Sequence, residues 1–274
     1  MLMGNKILLG NLTILLFLGS LVSTPLKIHK RIVDGRQCRA NEALYHVGLC
    51  RAPCNQKHDV FCGGSLINRK WVLSAAHCDD PQKSDLSVVI GTQDLSNTAS
   101  WKVIKGKTIK HDKYDRKTLD SDIMLVELEE SITPSNTIEI IGLPTGCDVN
   151  NEPPTMLQCL LAGWGVYGWT VPKGKTPGTP LFPDHLDCLD THRAECPMED
   201  TILPVTPNKF CAGGDGDSFN CGDFGGGLEC VHDGRKELYG VASSFRAPPT
   251  SQPAKFTKVC QFVDWIKGHV AELK

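Results

Sequence analysis

Past residue 35 the apolar stretches are short, rich in β-branched residues and cut off by turn residues. They run Val60 to Ile67, Trp71 to Ala75, Leu86 to Leu95, Ile123 to Leu128, Ile138 to Leu143, Gln158 to Trp164 and Glu237 to Ser243. Runs of this length between Gly, Pro, Asn, Asp and Ser clusters read as the strands of a sandwich or barrel. The end of the chain differs. Phe262, Val263, Ile266, Val270 and Leu273 recur at helical intervals, which predicts an amphipathic helix over 261–273 docked by one face. Residues 167–184 hold four prolines and three glycines and read as a long surface loop.

The first residues read as a secretory signal. Lys6 precedes an apolar run from Ile7 to Val22, with small residues at Ser20, Ser23 and Thr24. Residues 1–23 are therefore expected to be removed, with cleavage between 20 and 24, leaving a short propeptide at 24–31. The run includes Asn11 and falls short of the roughly 20 residues a membrane helix needs, so no membrane anchor is expected. Export makes disulfides the default reading of the 13 cysteines. The remaining roughly 250 residues suit one large all-β domain or two small ones. Of the 29 Lys and Arg, four lie in residues 1–31, which hold no acids; the remaining 25 against 31 Asp and Glu give a net charge of −6. Such a balance exerts no global pull toward nucleic acid. No N-x-S/T sequon follows the signal.

Three stretches carry chemistry. "LSAAHC" places His77 beside Cys78 after an apolar strand, and "LDSDIMLVEL" places Asp122 at the head of another. "CGDFGGGLEC", at 221–230, is a glycine-rich turn with Asp223 before its working position. A lone His or Asp is more often structural or solvated. In the order His, Asp, Gly-Asp-x-Gly-Gly turn, they form the parts of a charge relay. There an acid orients an imidazole, the imidazole takes a proton from a nucleophile, and backbone N–H groups hold the oxyanion. The residue at the working position is Phe224, whose benzyl group cannot attack.

From Arg31 onward the chain resembles the trypsin-like serine proteases of the chymotrypsin fold. "RIVDGRQC" is similar to the activation site, "FCGGSLI" and "WVLSAAHC" to the histidine region, and "DSDIMLVEL" to the aspartate region. "GWG" at 163–165 resembles the start of the second barrel, and "FTKVCQFVDWI" the terminal helix. The resemblance implies an all-β domain over 32–274, built of two six-stranded antiparallel barrels and a C-terminal helix. It implies an activation switch in which cleavage after Arg31 frees the Ile32 amino group to pair with Asp223, with Gly222 supplying an oxyanion N–H. It also implies disulfides Cys38–Cys188, Cys62–Cys78, Cys147–Cys260, Cys159–Cys230 and Cys196–Cys211.

The departures from the family matter more. Phe224 replaces the nucleophilic serine, and Ser218, six residues upstream, is no substitute. The family's Ser-Trp-Gly substrate wall corresponds to Ser243, Ser244 and Phe245, so a tryptophan has become serine and a glycine phenylalanine. "RAPPTSQP" lacks the cysteine that closes the specificity pocket, which leaves Cys221 an expected free thiol. Asp217 is one residue out of step for the pocket floor. Residues 91–101 hold one acid, Asp94, too few for the family's calcium loop, and neither metal nor cofactor is expected. Cys50 and Cys54 in "CRAPC" are expected to form a local disulfide; a zinc site with His58 lacks a fourth ligand.

Residues 102–117 hold seven Lys and Arg against two Asp. Lys102, Lys105, Lys107, Lys110 and Lys113 are a solvated strand face or an exosite for a sulfated glycan or an acidic partner. His46, His111, His185, His192, His232 and His269 are expected on the surface or at caps. Together these readings point to a secreted, monomeric, proteolytically inactive protease homologue acting by protein or glycan binding, as decoy, cofactor or effector. An active trypsin-like endopeptidase and a secreted storage or structural protein are the alternatives.

Overall fold

The computed structural model describes residues 35–80, 85–166, 168–169, 179–197, 205–214, 223–244 and 252–273. The signal and propeptide, Arg31, Ile32, Asp217, Ser218, Cys221, Gly222 and Phe245 lie outside them. Strands β1 (Arg36–Gln37), β2 (His46–Arg51), β3 (Val60–Asn68), β4 (Trp71–Ser74), β5 (Leu86–Ile90), β6 (Lys102–Lys110) and β7 (Met124–Leu128) make up the first half. The second half holds β8 (Cys159–Gly163), β9 (Gly168–Trp169), β10 (Pro180–Leu181), β11 (Asp187–Thr191), β12 (Arg193–Ala194), β13 (Lys209–Ala212), β14 (Gly227–His232), β15 (Arg235–Ser244) and β16 (Ala254–Lys258). Helix α1 (Val259–His269) closes the chain.

The first half is a closed antiparallel barrel in the order β2-β3-β4-β7-β6-β5. The second is an eight-stranded antiparallel sheet in the order β1-β11-β8-β14-β15-β16-β13-β12. Its six longer strands form the second, half-open barrel, and the two-residue strands β1 and β12 lie at its margins. The stretch 138–143 makes only isolated bridges, Ser135 with Ile138 and Gly142 with Glu237. The proline-rich stretch 167–184 holds the small β9–β10 ribbon. The histidine at 46 is not on the surface. It is buried in β2 with its ring against Trp164, 5.0 Å between centroids, because β2 faces the second half of the molecule there.

Two apolar clusters fill the molecule: a larger one that runs from the first barrel across the seam to Trp164, Leu238 and Val241, and a second inside the second half. Phe210 and Phe256 stack in the second core, 5.7 Å apart, beside Leu228 and Tyr239. Val259, Phe262, Ile266 and Val270 of the terminal segment join the first core instead. The helix thus emerges directly from β16 and straps across to the other half, where His111 at the end of β6 meets Phe262 and Trp265. It begins two residues earlier than its periodicity suggests and ends at His269. Six disulfides link Cys38–Cys188, Cys50–Cys54, Cys62–Cys78, Cys147–Cys260, Cys159–Cys230 and Cys196–Cys211.

Phe256 is fully buried and bonded through its backbone to both neighbouring strands. Phe256→Ala should therefore lower unfolding stability by about 3–5 kcal/mol. A urea midpoint shifted by less than a third of that would show that the second core is not closed by this stack.

Candidate functional site

The site forms where the two halves meet. A short 3-10 turn at Ala76–Cys78, following β4, presents His77, and the Cys62–Cys78 disulfide ties that turn to β3. Asp122 precedes β7 on a bend where Leu119 and Ser121 adopt positive φ, +55° and +49°. Such left-handed backbone costs non-glycine residues of order 1 kcal/mol or more, and surrounding contacts must hold it. Here Asn208 donates to Asp120 Oδ1 at 2.8 Å and to Ser121 Oγ at 2.9 Å.

Asp122 is completely buried. Its Oδ2 accepts from His77 Nδ1 at 2.8 Å and from the Ser243 hydroxyl at 2.5 Å, and its Oδ1 accepts from the His77 backbone N–H at 2.9 Å. Thr257 Oγ1 donates to its carbonyl at 2.9 Å. Burial alone would raise the carboxyl's pKa; these hydrogen bonds and the nearby imidazole outweigh it and hold the pKa below the ordinary value. An ionised Asp122 accepting from Nδ1–H leaves Nε2 as the lone-pair nitrogen, the tautomer a general base requires.

Where that base would find its nucleophile stands the ring of Phe224, edge-on to the imidazole with centroids 5.0 Å apart and planes at 87°. The turn bearing it is tightly built. Phe224 O accepts from Gly63 N–H at 2.7 Å, Gly225 N–H donates to Ala242 O at 2.8 Å, and Gly226 N–H donates to Asp223 O at 3.1 Å. At Gly225, with φ +78°, a Cβ would sit 2.3 Å from Ser74 Oγ, so only glycine fits between the halves. Asp223 is 1% exposed and accepts from Gly165 N–H at 2.7 Å. Side chains at Gly163 or Gly165 would strike its carboxylate, so the "GWG" spacing is the cradle of this acid. His46 packs behind, with a pKa pushed down by burial to about 3, and stays neutral.

Ser243 and Ser244 are both buried at the end of β15, Ser243 bound to Asp122. Cys62, Cys78 and His77 bring two sulfurs and a ring nitrogen within 4.8 Å of one another, but the sulfurs are bonded to each other and offer no thiolate to a metal. Away from this centre, Lys105 and Lys107 project from the outer face of β6, with Lys102 and Lys113 also exposed. Lys102 reaches Glu130 at 3.9 Å, and Lys110 reaches Asp79 at 3.3 Å.

The buried charges that went unmarked in the sequence include Glu229, Lys209 and Lys255. Their only signal is a charge inside "GLECV", "NKFCA" and "AKFTK", where the neighbouring residues are apolar. Lys209 is held down to a pKa of about 8, first by burial and then by the positive Lys255, against the pull of Asp122 and Asp120. Below pH 8 its ammonium is charged in folded and unfolded chains alike, and the folded chain bears the full cost of burying it. Between about 8 and 10.5 the folded chain sheds the proton that the unfolded chain keeps, so this residue makes stability rise with pH. At about 1.4 kcal/mol per unit over a gap of about 2.5, Lys209→Met should stabilise the protein at pH 7 by roughly 3 kcal/mol and flatten that rise. Urea midpoints measured from pH 7 to 11 check this; identical profiles for the two proteins would overturn it.

With the geometry established, comparisons with known proteins can be set beside it. A family profile described as Trypsin matches residues 32–266. The chain is 36% identical to the anionic trypsin of Canis lupus familiaris over 270 residues, covering 95% of this chain and 98% of that protein. It is 35% identical to the trypsin of Xenopus laevis and 34% identical to serine protease 1 of Homo sapiens, with the same 95% and 98% coverage. The His77–Asp122–Ser243 cluster, the Asp223 turn and the closed barrel with its half-open partner are thus set in a chain that belongs to the trypsin family.

Proposed function

We propose that this chain is a secreted member of the trypsin family that binds without cleaving. The observation that carries this reading is Phe224, which fills the approach to His77 with a hydrocarbon ring. Losing a triad serine lowers turnover by on the order of 10⁶ in a comparable protease. Ser244 and Phe245 in place of the family's tryptophan and glycine support the same reading, since a cleaved peptide must be held along that wall. In this proposal Asp122 and Ser243 are kept because they join the two halves. Asp223 is kept to receive the Ile32 amino group after cleavage at Arg31, with Gly222 a remnant of the oxyanion turn. Cys221 is a free thiol. The ligand is a secreted protein or a sulfated glycan, and the role is that of decoy, cofactor or effector.

The intact His77–Asp122 hydrogen bond and relatives named trypsins favour a second reading, an active endopeptidase with an unrecognised nucleophile. A fluorophosphonate separates the two, because it needs an activated nucleophile and little of the substrate channel. The chain cleaved after Arg31 should take up no label. Phe224→Ser should label weakly and still leave Arg and Lys peptides essentially uncut, because positioning a peptide is worth about 7–11 kcal/mol and the wall that does it is altered. Labelling of the unsubstituted protein, abolished by His77→Ala, would establish the active reading.

The exposed lysines of β6 supply the glycan arm. Lys105 and Lys107 lie two residues apart on one face of a strand, and neither has an acidic partner among the described residues. Heparin should retain the protein beyond physiological salt, where exposed charges are screened over about 8 Å. Replacing Lys105, Lys107 and Lys110 with Ala should bring elution forward. Unchanged elution would remove β6 from the binding surface.

A further inference from the structure

The second sheet carries a buried acid that the Asp122 site does not use. Across β11, β8 and β14, Asp190 pairs directly with Leu160, and Leu160 with Glu229. Directly opposed residues share a face. Adjacent strands lie about 4.8 Å apart, so the two acids flank a leucine at roughly 10 Å, backbone to backbone. Glu229 is 3% exposed, whereas Val231, two residues along the same face of β14, is 44% exposed and Asp190 reaches solvent. The row thus leads from solvent to a buried carboxyl.

A cavity of about 150 Å³ follows this row. Its wall holds three acids, Glu42, Asp190 and Glu229, and one base, Lys236. It shares Gln158, Cys159 and Asp190 with a larger cavity of about 440 Å³ beside Met156 and Leu157. Glu42 is already engaged by Arg36 and Arg39. Asp190 meets Arg36 in the open, where such a pair contributes little. Glu229 differs. Lys236 reaches its Oε1 at 3.3 Å, and its buried Oε2 has no hydrogen-bond partner. The buried Tyr45 hydroxyl is near enough to favour the charged carboxyl but stands outside hydrogen-bonding geometry. An ionised carboxylate offers about four acceptor positions, so capacity remains even beside Tyr45. Folding has already taken Glu229 out of water, and an entering donor does not bear that part of the cost. In the larger cavity the Thr191 hydroxyl is likewise buried and without a partner.

We propose that Glu229 and Asp190 form a pocket for the ammonium of a lysine side chain on a partner polypeptide, with Leu160 and Val231 along its methylene stem and the larger cavity taking the neighbouring residue. The geometry selects this ligand class. The acids are not a metal cage, since among the described residues their oxygens do not gather within 4.8 Å of one another. The open acceptor is a single oxygen, which suits a point-like ammonium; the fork of a guanidinium asks for both. The leucine between the two acids suits a long aliphatic stem with its charge at the tip. The pocket shares no residue with the site around Asp122 and Phe224, so it goes beyond the reading above and does not depend on whether the chain cleaves.

The test is an NMR titration of the full-length protein with acetyl-Leu-Lys-Leu amide, its Nε-acetyl-lysine and arginine counterparts, and free cadaverine. The lysine peptide should bind about tenfold or more tightly than the acetyl-lysine peptide, because only the former brings a charged donor to the carboxylate. That preference should vanish in Glu229→Gln, weaken in Asp190→Asn and persist in Lys105→Ala. A second readout is the Glu229 carboxyl itself. Burial raises its pKa against the pull of Lys236 and Tyr45, with Glu139 adding to the rise and Glu42 and Asp190 sharing the cavity. A bound ammonium favours the charged form, so the lysine peptide should lower the Glu229 titration point. If Glu229→Gln does not fold, this shift and Asp190→Asn still decide. Equal binding of the lysine and acetyl-lysine peptides, a preference that survives Glu229→Gln, or no downward shift overturns the proposal. Cadaverine binding as tightly as the lysine peptide would overturn the polypeptide as occupant, and an equally tight arginine peptide would overturn the choice of lysine.

Discussion

A carboxylate with no access to solvent sits at the seam between the two halves of this molecule, and much of the arrangement follows from keeping Asp122 satisfied. A buried acid left without partners would be neutralised or would destabilise the fold by several kcal/mol. The first barrel contributes His77, through ring and backbone, and the second sheet contributes Ser243 and Thr257. Neither half can satisfy this acid alone, so it specifies how they dock. The disulfide at Cys62–Cys78 and the strained bend at Leu119 and Ser121 hold the two ends of the same contact in place.

The second constraint is the Asp223 turn. Its acid lies against the bare backbone of Gly163 and Gly165, and its glycines press against β3 and β4 so closely that a methyl group at 225 would overlap Ser74. None of these contacts involves the side chain at 224. A nucleophile can be exchanged for a phenylalanine without disturbing what the turn does for packing, because the side chain at that position points out of the turn toward His77. The turn's persistence beside an unreactive residue thus has a structural cause that does not require catalysis.

Several elements were legible from local pattern. Short β-rich runs bounded by turn residues marked β3, β4, β5, β7, β8 and β15, and the spacing of Phe262, Ile266 and Val270 marked the terminal helix. Others were not. The stretch 138–143 has strand-like composition, but only single bridges form there; Ile141 N–H donates to Leu66 O of β3 and Gly142 O accepts from Leu238 N–H of β15, with no continuous ladder to either. His46 was expected at the surface or a cap, yet its ring is buried in β2 against Trp164 and the bare backbones of Gly63 and Gly226, which lie far from it in sequence. The basic stretch does hold a strand, β6, with Lys105 and Lys107 facing outward, while Ile104 faces the barrel interior.

By itself the sequence determined the all-β class, the family through its spaced motifs, the identities of His77, Asp122 and Phe224, and the cysteines available for bridging. These depend on residue type and on periodicity along the chain. Only the tertiary structure decided that Lys209, Lys255 and Ser244 share one face, and that this face is buried. Alternation in "NKFCA" and "AKFTK" says merely that the lysines point away from Phe210 and Phe256, which in a solvated sheet would mean toward water. Here that outer face lies toward the Asp122 bend of the other half, and a position that reads as exposed in the strand becomes a desolvated charge because a second body covers it.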